Sequence, residues 1–173
     1  MPECYADTLM IETFVPPKLK YNHKHSCFQV EKEMVKGKFK DKFAVAIIDK
    51  DKKQIKYLNE FDEIDKVEGS LLLLRHKSRE KHHFIIQILP ALEQWVMNVC
   101  KEENIIPEDV PTDIKELRKY TKKQSSIRNK DLKNLFVKMG ERNENVNIRK
   151  LKRWLILLKE KNYEVDLNEL KNA

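Results

Sequence analysis

Phe43-Ala44-Val45-Ala46-Ile47-Ile48-Asp49-Lys50-Asp51-Lys52-Lys53 decides how the rest of the chain is read. Six apolar residues in succession, several of them β-branched, describe a strand buried on both faces, as in the middle of a parallel sheet. The run ends in two aspartates two positions apart. Alternate residues of an extended chain project to the same side, so Asp49 and Asp51 can turn their carboxylates toward one divalent cation. Ligands of open α/β sheets bind where strands end. The competing reading is a charged turn in which lysines neutralise two aspartates.

Further strands are expected at Leu71–Leu74 and Phe84–Leu89, joined as a hairpin by the basic stretch Arg75–His83. His82 and His83 read as solvent-exposed loop residues. Residues 54–65 read as irregular. Upstream, Asp7 or Thr8 is expected to cap a short helix that Pro16-Pro17 ends. His23, His25 and Cys27 lie in a polar loop at a spacing that suits no common zinc motif. A helical stripe over residues 28–40 leads into the central strand. Pro90 opens a helix with Leu92, Trp95, Val96 and Val99 on one face and Glu93 in its first turn.

After Pro107 and Pro111 helical spacing takes over. Helices are expected at 112–120, 130–139 and 148–161, with Thr112 and Asn129 as N-caps and Gly140 as a stop. Two parts follow: an α/β domain at 1–106 and a basic helical extension at 112–173. Between Lys115 and Lys161 stand 16 Lys and Arg against 5 Asp and Glu, in a chain of net charge +7, so the remainder is net negative. A basic half beside an acidic half suits a grip on phosphate next to a metal. Lys52, Lys53, Lys122, Lys123, Arg128 and Lys130 are the candidate nucleic-acid contacts. Three cysteines at no metal-ligand spacing, no membrane-length apolar run and no signal-peptide pattern suggest a reduced, cytoplasmic protein.

A carboxylate near the N-terminus, an intervening helix and an apolar strand ending in Asp-x-Asp resemble the Toprim family of primases, topoisomerases and OLD-type nucleases. Glu3-Cys4-Tyr5-Ala6-Asp7 is similar to the family's first motif, with Cys4 at the position of its glycine and only Met1 and Pro2 in place of a full preceding strand. Asp49-Lys50-Asp51 is similar to the second acidic motif, and Pro90-Ala91-Leu92-Glu93 to a helix opening of Toprim-like phage-defence proteins. The resemblance spans roughly residues 1–100. It implies a mostly parallel sheet flanked by helices. It also implies a catalytic set of Glu3, Asp49 and Asp51, which would bind Mg²⁺ or Mn²⁺ with Glu93 in support, and nucleic-acid processing as a phosphodiester nuclease or a phage-defence component. Glu12 is the alternative first-motif acid. A non-catalytic adaptor that binds nucleic acid, a protein partner or a second copy is the other class of function. A HAD-like phosphatase with Asp49 as nucleophile ranks lower, because Lys52 and Lys53 follow where that family has threonine. A sugar-nucleotide transferase, which also pairs Asp-x-Asp with metal, usually needs a longer chain.

Overall fold

The computed structural model describes residues 1–50 and 55–172. Four strands, β1 (Ala44–Asp49), β2 (Phe61–Val67), β3 (Leu71–His76) and β4 (His83–Ile88), form one sheet in the order β1-β4-β3-β2. β1 runs parallel to β4, while β4–β3 and β3–β2 are antiparallel. The sheet is therefore mostly antiparallel, not mostly parallel as expected. The reason lies in the connections. The short links between β2 and β3 and between β3 and β4 admit only antiparallel neighbours, whereas a parallel pair needs a crossover. Gly69 makes the first of these turns with φ +68, a conformation that costs glycine little.

Of the stretch expected to be irregular at 54–65, Lys56–Glu60 forms a 3₁₀ turn and residues 61–65 belong to β2, while residue 54 lies outside the described residues. The apolar residues Phe61, Ile64 and Val67 of β2 do not alternate because a bulge interrupts the register between Glu63 and Asp65. Ahead of the bulge Phe61 and Glu63 oppose His76 and Leu74; beyond it Asp65 and Val67 oppose Leu73 and Leu71. β2 thus shows a different face of the sheet at each of its ends.

Both sheet faces are covered, which accounts for the unbroken apolar character of β1 and β4. On one side Ala44, Ala46, Ile48 and Ile85 pack with Val30 and Met34 of α2 (Cys27–Val35), together with Ile55, Tyr57 and Phe61. On the other side Ile47, Phe84, Ile86 and Ile88 meet α1 (Tyr5–Phe14) and α3 (Leu92–Glu102). That second cluster continues without a break into α4 (Ile114–Thr121), α5 (Lys130–Gly140), α6 (Val146–Lys161) and α7 (Leu167–Lys171). No strand lies beyond residue 112 among the described residues. Asn145 caps α6 and its amide also reaches Glu102 and Glu103 at the end of α3. Trp154 Nε1 donates to the Leu170 carbonyl at 3.1 Å and ties down α7.

Local chemistry moved two of the expected caps. Cys4, not Asp7 or Thr8, is the N-cap of α1, and Asp113, not Thr112, caps α4. Asn129 caps α5 as expected, and that helix ends at Gly140, where a Cβ would lie 3.2 Å from the Phe14 ring. His83 is fully buried, not solvent-exposed. Its Nε2–H donates to the Phe39 carbonyl at 2.8 Å, which leaves Nδ1 to accept the Tyr57 hydroxyl at 2.7 Å.

Phe136 of α5 is buried and meets Phe14 of α1 edge-to-face at 6.5 Å. Phe136→Ala should cost about 3–5 kcal/mol. Because one core spans both parts of the chain, calorimetry of this variant should show a single transition moved down as a whole, not an early step confined to the C-terminal helices.

Candidate functional site

Glu3 reaches the end of β1 through backbone pairing. Ile47 N donates to Met1 O and Glu3 N to Ile47 O, each at 3.1 Å, and Pro2 forms a parallel bridge with Ile47. Three residues therefore flank β1 on the side away from β4, a minimal counterpart of the strand expected before the first acid. Cys4 follows with φ −133 and ψ 172, extended backbone that any residue adopts, so no glycine is required there. The chain then turns into α1 through a reciprocal cap. Cys4 N donates to Asp7 Oδ2 at 3.0 Å and Asp7 N to Cys4 Sγ at 3.3 Å. Burial, with Asp7 beside it, pushes the Cys4 thiol far up and keeps it protonated, which removes it as a thiolate nucleophile or ligand.

This cap puts Asp7 inside the protein at 1% exposure, and its second oxygen, Oδ1, is buried with no hydrogen-bond partner among the described residues. Asp49, at the end of β1, accepts the Leu92 N–H at 2.9 Å where α3 begins. Glu93, the next residue, is buried; it accepts the Thr121 hydroxyl at 2.6 Å and lies 3.7 Å from Arg118 Nε. Three short segments, Glu3–Asp7, Asp49 and Leu92–Glu93, thus bring four carboxylates into one electrostatic neighbourhood. Burial pushes the Asp49 carboxyl up to about 9; the charges of Asp7, Glu3 and Glu93 push the same way, and the Leu92 N–H opposes them. Burial likewise raises Asp7 to about 7, opposed by its bonds to Cys4 and assisted by Glu93.

Asp51, Lys52 and Lys53 lie outside the described residues. Among the described residues no group of three or more His, Cys, Asp or Glu stands at metal-holding geometry. Glu12 lines a cleft with Lys20, Lys130 and Lys133, whereas the charge of Glu3, with that of Asp7, acts on Asp49. Lys122, Lys123, Arg128 and Lys130 are exposed along the segment after α4. The bond from Thr121 to Glu93 ties the start of that segment to the acidic neighbourhood. His23 stacks on Tyr5 with centroids 4.2 Å apart and meets the His25 ring edge-on at 4.9 Å. Thr8 Oγ1 donates to the Cys4 carbonyl at 2.8 Å, so His23 Nδ1 is the donor in its 2.9 Å contact with Thr8.

Sequence reading undervalued Asp7. Its signal was present in the three-residue spacing from Cys4, the spacing of a capping box, but cysteine is an uncommon cap. The chain matches no protein-family model, and neither a curated protein nor a solved structure matches it significantly.

Raised carboxyl pKa values mean that the folded protein keeps protons the unfolded chain releases. The contribution of Asp7 and Asp49 to stability is then complete below about pH 4 and is lost as the pH rises through about 7 and about 9. Asp49→Asn keeps an oxygen to accept the Leu92 N–H and removes the charge. In EDTA at pH 8 it should gain on the order of 1 kcal/mol, about 3 °C in Tm. It should also flatten the decline from pH 5 to pH 9; thermal melts across that range check both.

Proposed function

We propose that this chain is a Toprim-like, metal-dependent nucleic-acid-processing protein, a phosphodiester nuclease or a component of a DNA- or RNA-processing or phage-defence system. One observation carries the reading. Glu3 and Asp49, 46 positions apart in sequence, stand at the ends of two adjacent parallel segments, and the Glu3 charge acts on Asp49 together with those of Asp7 and Glu93. Like charges crowded in a buried place are costly unless a cation or a proton relieves them. An all-oxygen donor set of this kind suits Mg²⁺ or Mn²⁺ better than a softer metal.

In this reading Glu3, Asp49 and Asp51 would hold the ion, with Glu93 in support. The bound ion would supply charge stabilisation at a phosphoryl oxygen and a more acidic water. The protein's own groups do the rest. The Leu92 N–H orients the Asp49 carboxylate through Oδ1. Thr121 and Arg118 hold Glu93 in place and set the basic segment after α4 beside the acids. Asp7 Oδ1 remains as a buried acceptor that can take a proton from a water or orient one. Lys52 and Lys53 follow Asp51 directly in sequence and would add positive potential for phosphate.

The adaptor reading draws on a different observation, namely the exposed cations Lys122, Lys123, Arg128 and Lys130, which can hold a polyanion without turnover. The two readings part on metal response. Mg²⁺ or Mn²⁺ at a hundredfold excess over Kd should stabilise the fold by about 2.7 kcal/mol, since a ligand of the folded state alone must do so. Asp49→Asn should abolish that shift, and Mn²⁺-dependent cleavage of a labelled oligonucleotide should disappear with it. A wild-type Tm indifferent to both metals, with no cleavage, would leave the adaptor.

A further inference from the structure

We infer that single-stranded nucleic acid lies in a basic cleft between α1 and the start of α5, its phosphates held by Lys20, Arg128, Lys130 and Lys133. The cleft encloses about 510 Å³. One wall is the C-terminal half of α1 with the loop that follows it; the other is the turn at Ile127–Arg128 and the first turns of α5. Cations from two segments more than a hundred residues apart in sequence therefore line one trough. This goes beyond the basic segment read from the sequence, because Lys20 belongs to the N-terminal part. It deepens the function proposed above, on which it rests for the class of ligand, by naming the strandedness of the substrate and its track.

The trough is held in shape by bonds that leave its cations free. Lys159 Nζ donates to the Pro16 carbonyl at 2.6 Å and the Tyr21 hydroxyl to the Val15 carbonyl at 2.6 Å, so both ends of the loop bearing Lys20 are pinned. Ser126 Oγ donates to the carbonyls of Thr121 and Lys123, and Asn129 caps α5, which fixes the opposite wall. Among the described residues Lys20, Arg128, Lys130 and Lys133 make no ion pair with a carboxylate. Among the described residues Glu12 is the one acid in a lining with four cations. A surplus of positive charge facing inward across a trough, next to the N-terminus of an eleven-residue helix, matches a polyanion.

One feature selects a single strand over other polyanions. The exposed cations continue, through Lys123 and Lys122, back to Thr121 and its bond with Glu93. A flexible strand in the cleft can follow this row toward the acidic neighbourhood. Among the described residues no aromatic ring lines the cleft, so contacts fall on phosphate and not on stacked bases, and binding should be steeply salt-dependent with little base preference.

The test is fluorescence anisotropy of a labelled oligothymidylate in EDTA, titrated at several NaCl concentrations. Wild type should bind, and a triple variant, Lys20→Gln with Lys130→Gln and Lys133→Gln, should lower the slope of log K against log salt by about 2, at ~0.7 per lost phosphate contact. A control with the same charge change on another face, Lys32→Gln with Lys36→Gln and Lys56→Gln, should keep the wild-type slope. Unchanged Tm of both variants excludes misfolding. The inference is overturned if the two triple variants lose slope equally, if a duplex of the same length binds as tightly, or if polyglutamate displaces the oligonucleotide at matched charge. Asp49→Asn separates the two proposals. Full binding with no metal response in wild type removes the metal-dependent reading and leaves the cleft; a metal response without cleft-dependent binding does the reverse.

Discussion

Burying carboxylates around the end of one strand is the constraint on which the N-terminal half of this protein depends. Asp7 is inside the fold, Glu93 is inside the fold, and Asp49 is largely shielded between them. Each is held by a backbone or hydroxyl donor: the Cys4 N–H for Asp7, the Leu92 N–H for Asp49, the Thr121 hydroxyl for Glu93. Such bonds satisfy oxygens without neutralising charge, and mutual repulsion persists. A fold optimised only for stability would place apolar side chains at these positions. That the chain keeps acids there is the physical ground on which the proposed function rests.

The same three donors couple the acids to the architecture. The Cys4–Asp7 cap is the start of α1, the Asp49–Leu92 bond is the start of α3, and the Glu93–Thr121 bond fastens the end of α4. Anything that relaxes the acids, whether a proton or a cation, therefore acts at the ends of three helices that share one core. The basic segment begins at the same Thr121. Elsewhere opposite charges pair across the surface, as in Lys24 with Glu33 and Lys138 with Glu108, whereas the four cations of the cleft have no carboxylate ion pair among the described residues.

Periodicity and composition were enough to determine β1, β3 and β4, helices close to α1 through α6, the Asn129 cap, and the absence of described strand after residue 112. These signals are local: a β-branched run or a 3.6-residue stripe survives whatever it packs against. Asp49 was legible because it ends an apolar strand, and Glu93 because it sits in the first turn of the helix that follows Pro90. Tertiary structure decided the rest. β2 was hidden because a bulge breaks its alternation, and the sense of the sheet because strand pairing depends on which short links close into hairpins. His83 was read as exposed because only the packed fold supplies both of its partners, Tyr57 and the Phe39 carbonyl. The pairing of Met1–Glu3 with β1, the burial of Asp7 and the placing of Lys20 and Lys130 along one cleft all depend on residues far apart in sequence. Contacts of that kind depend on chain closure and shared packing, and no window of local sequence contains them.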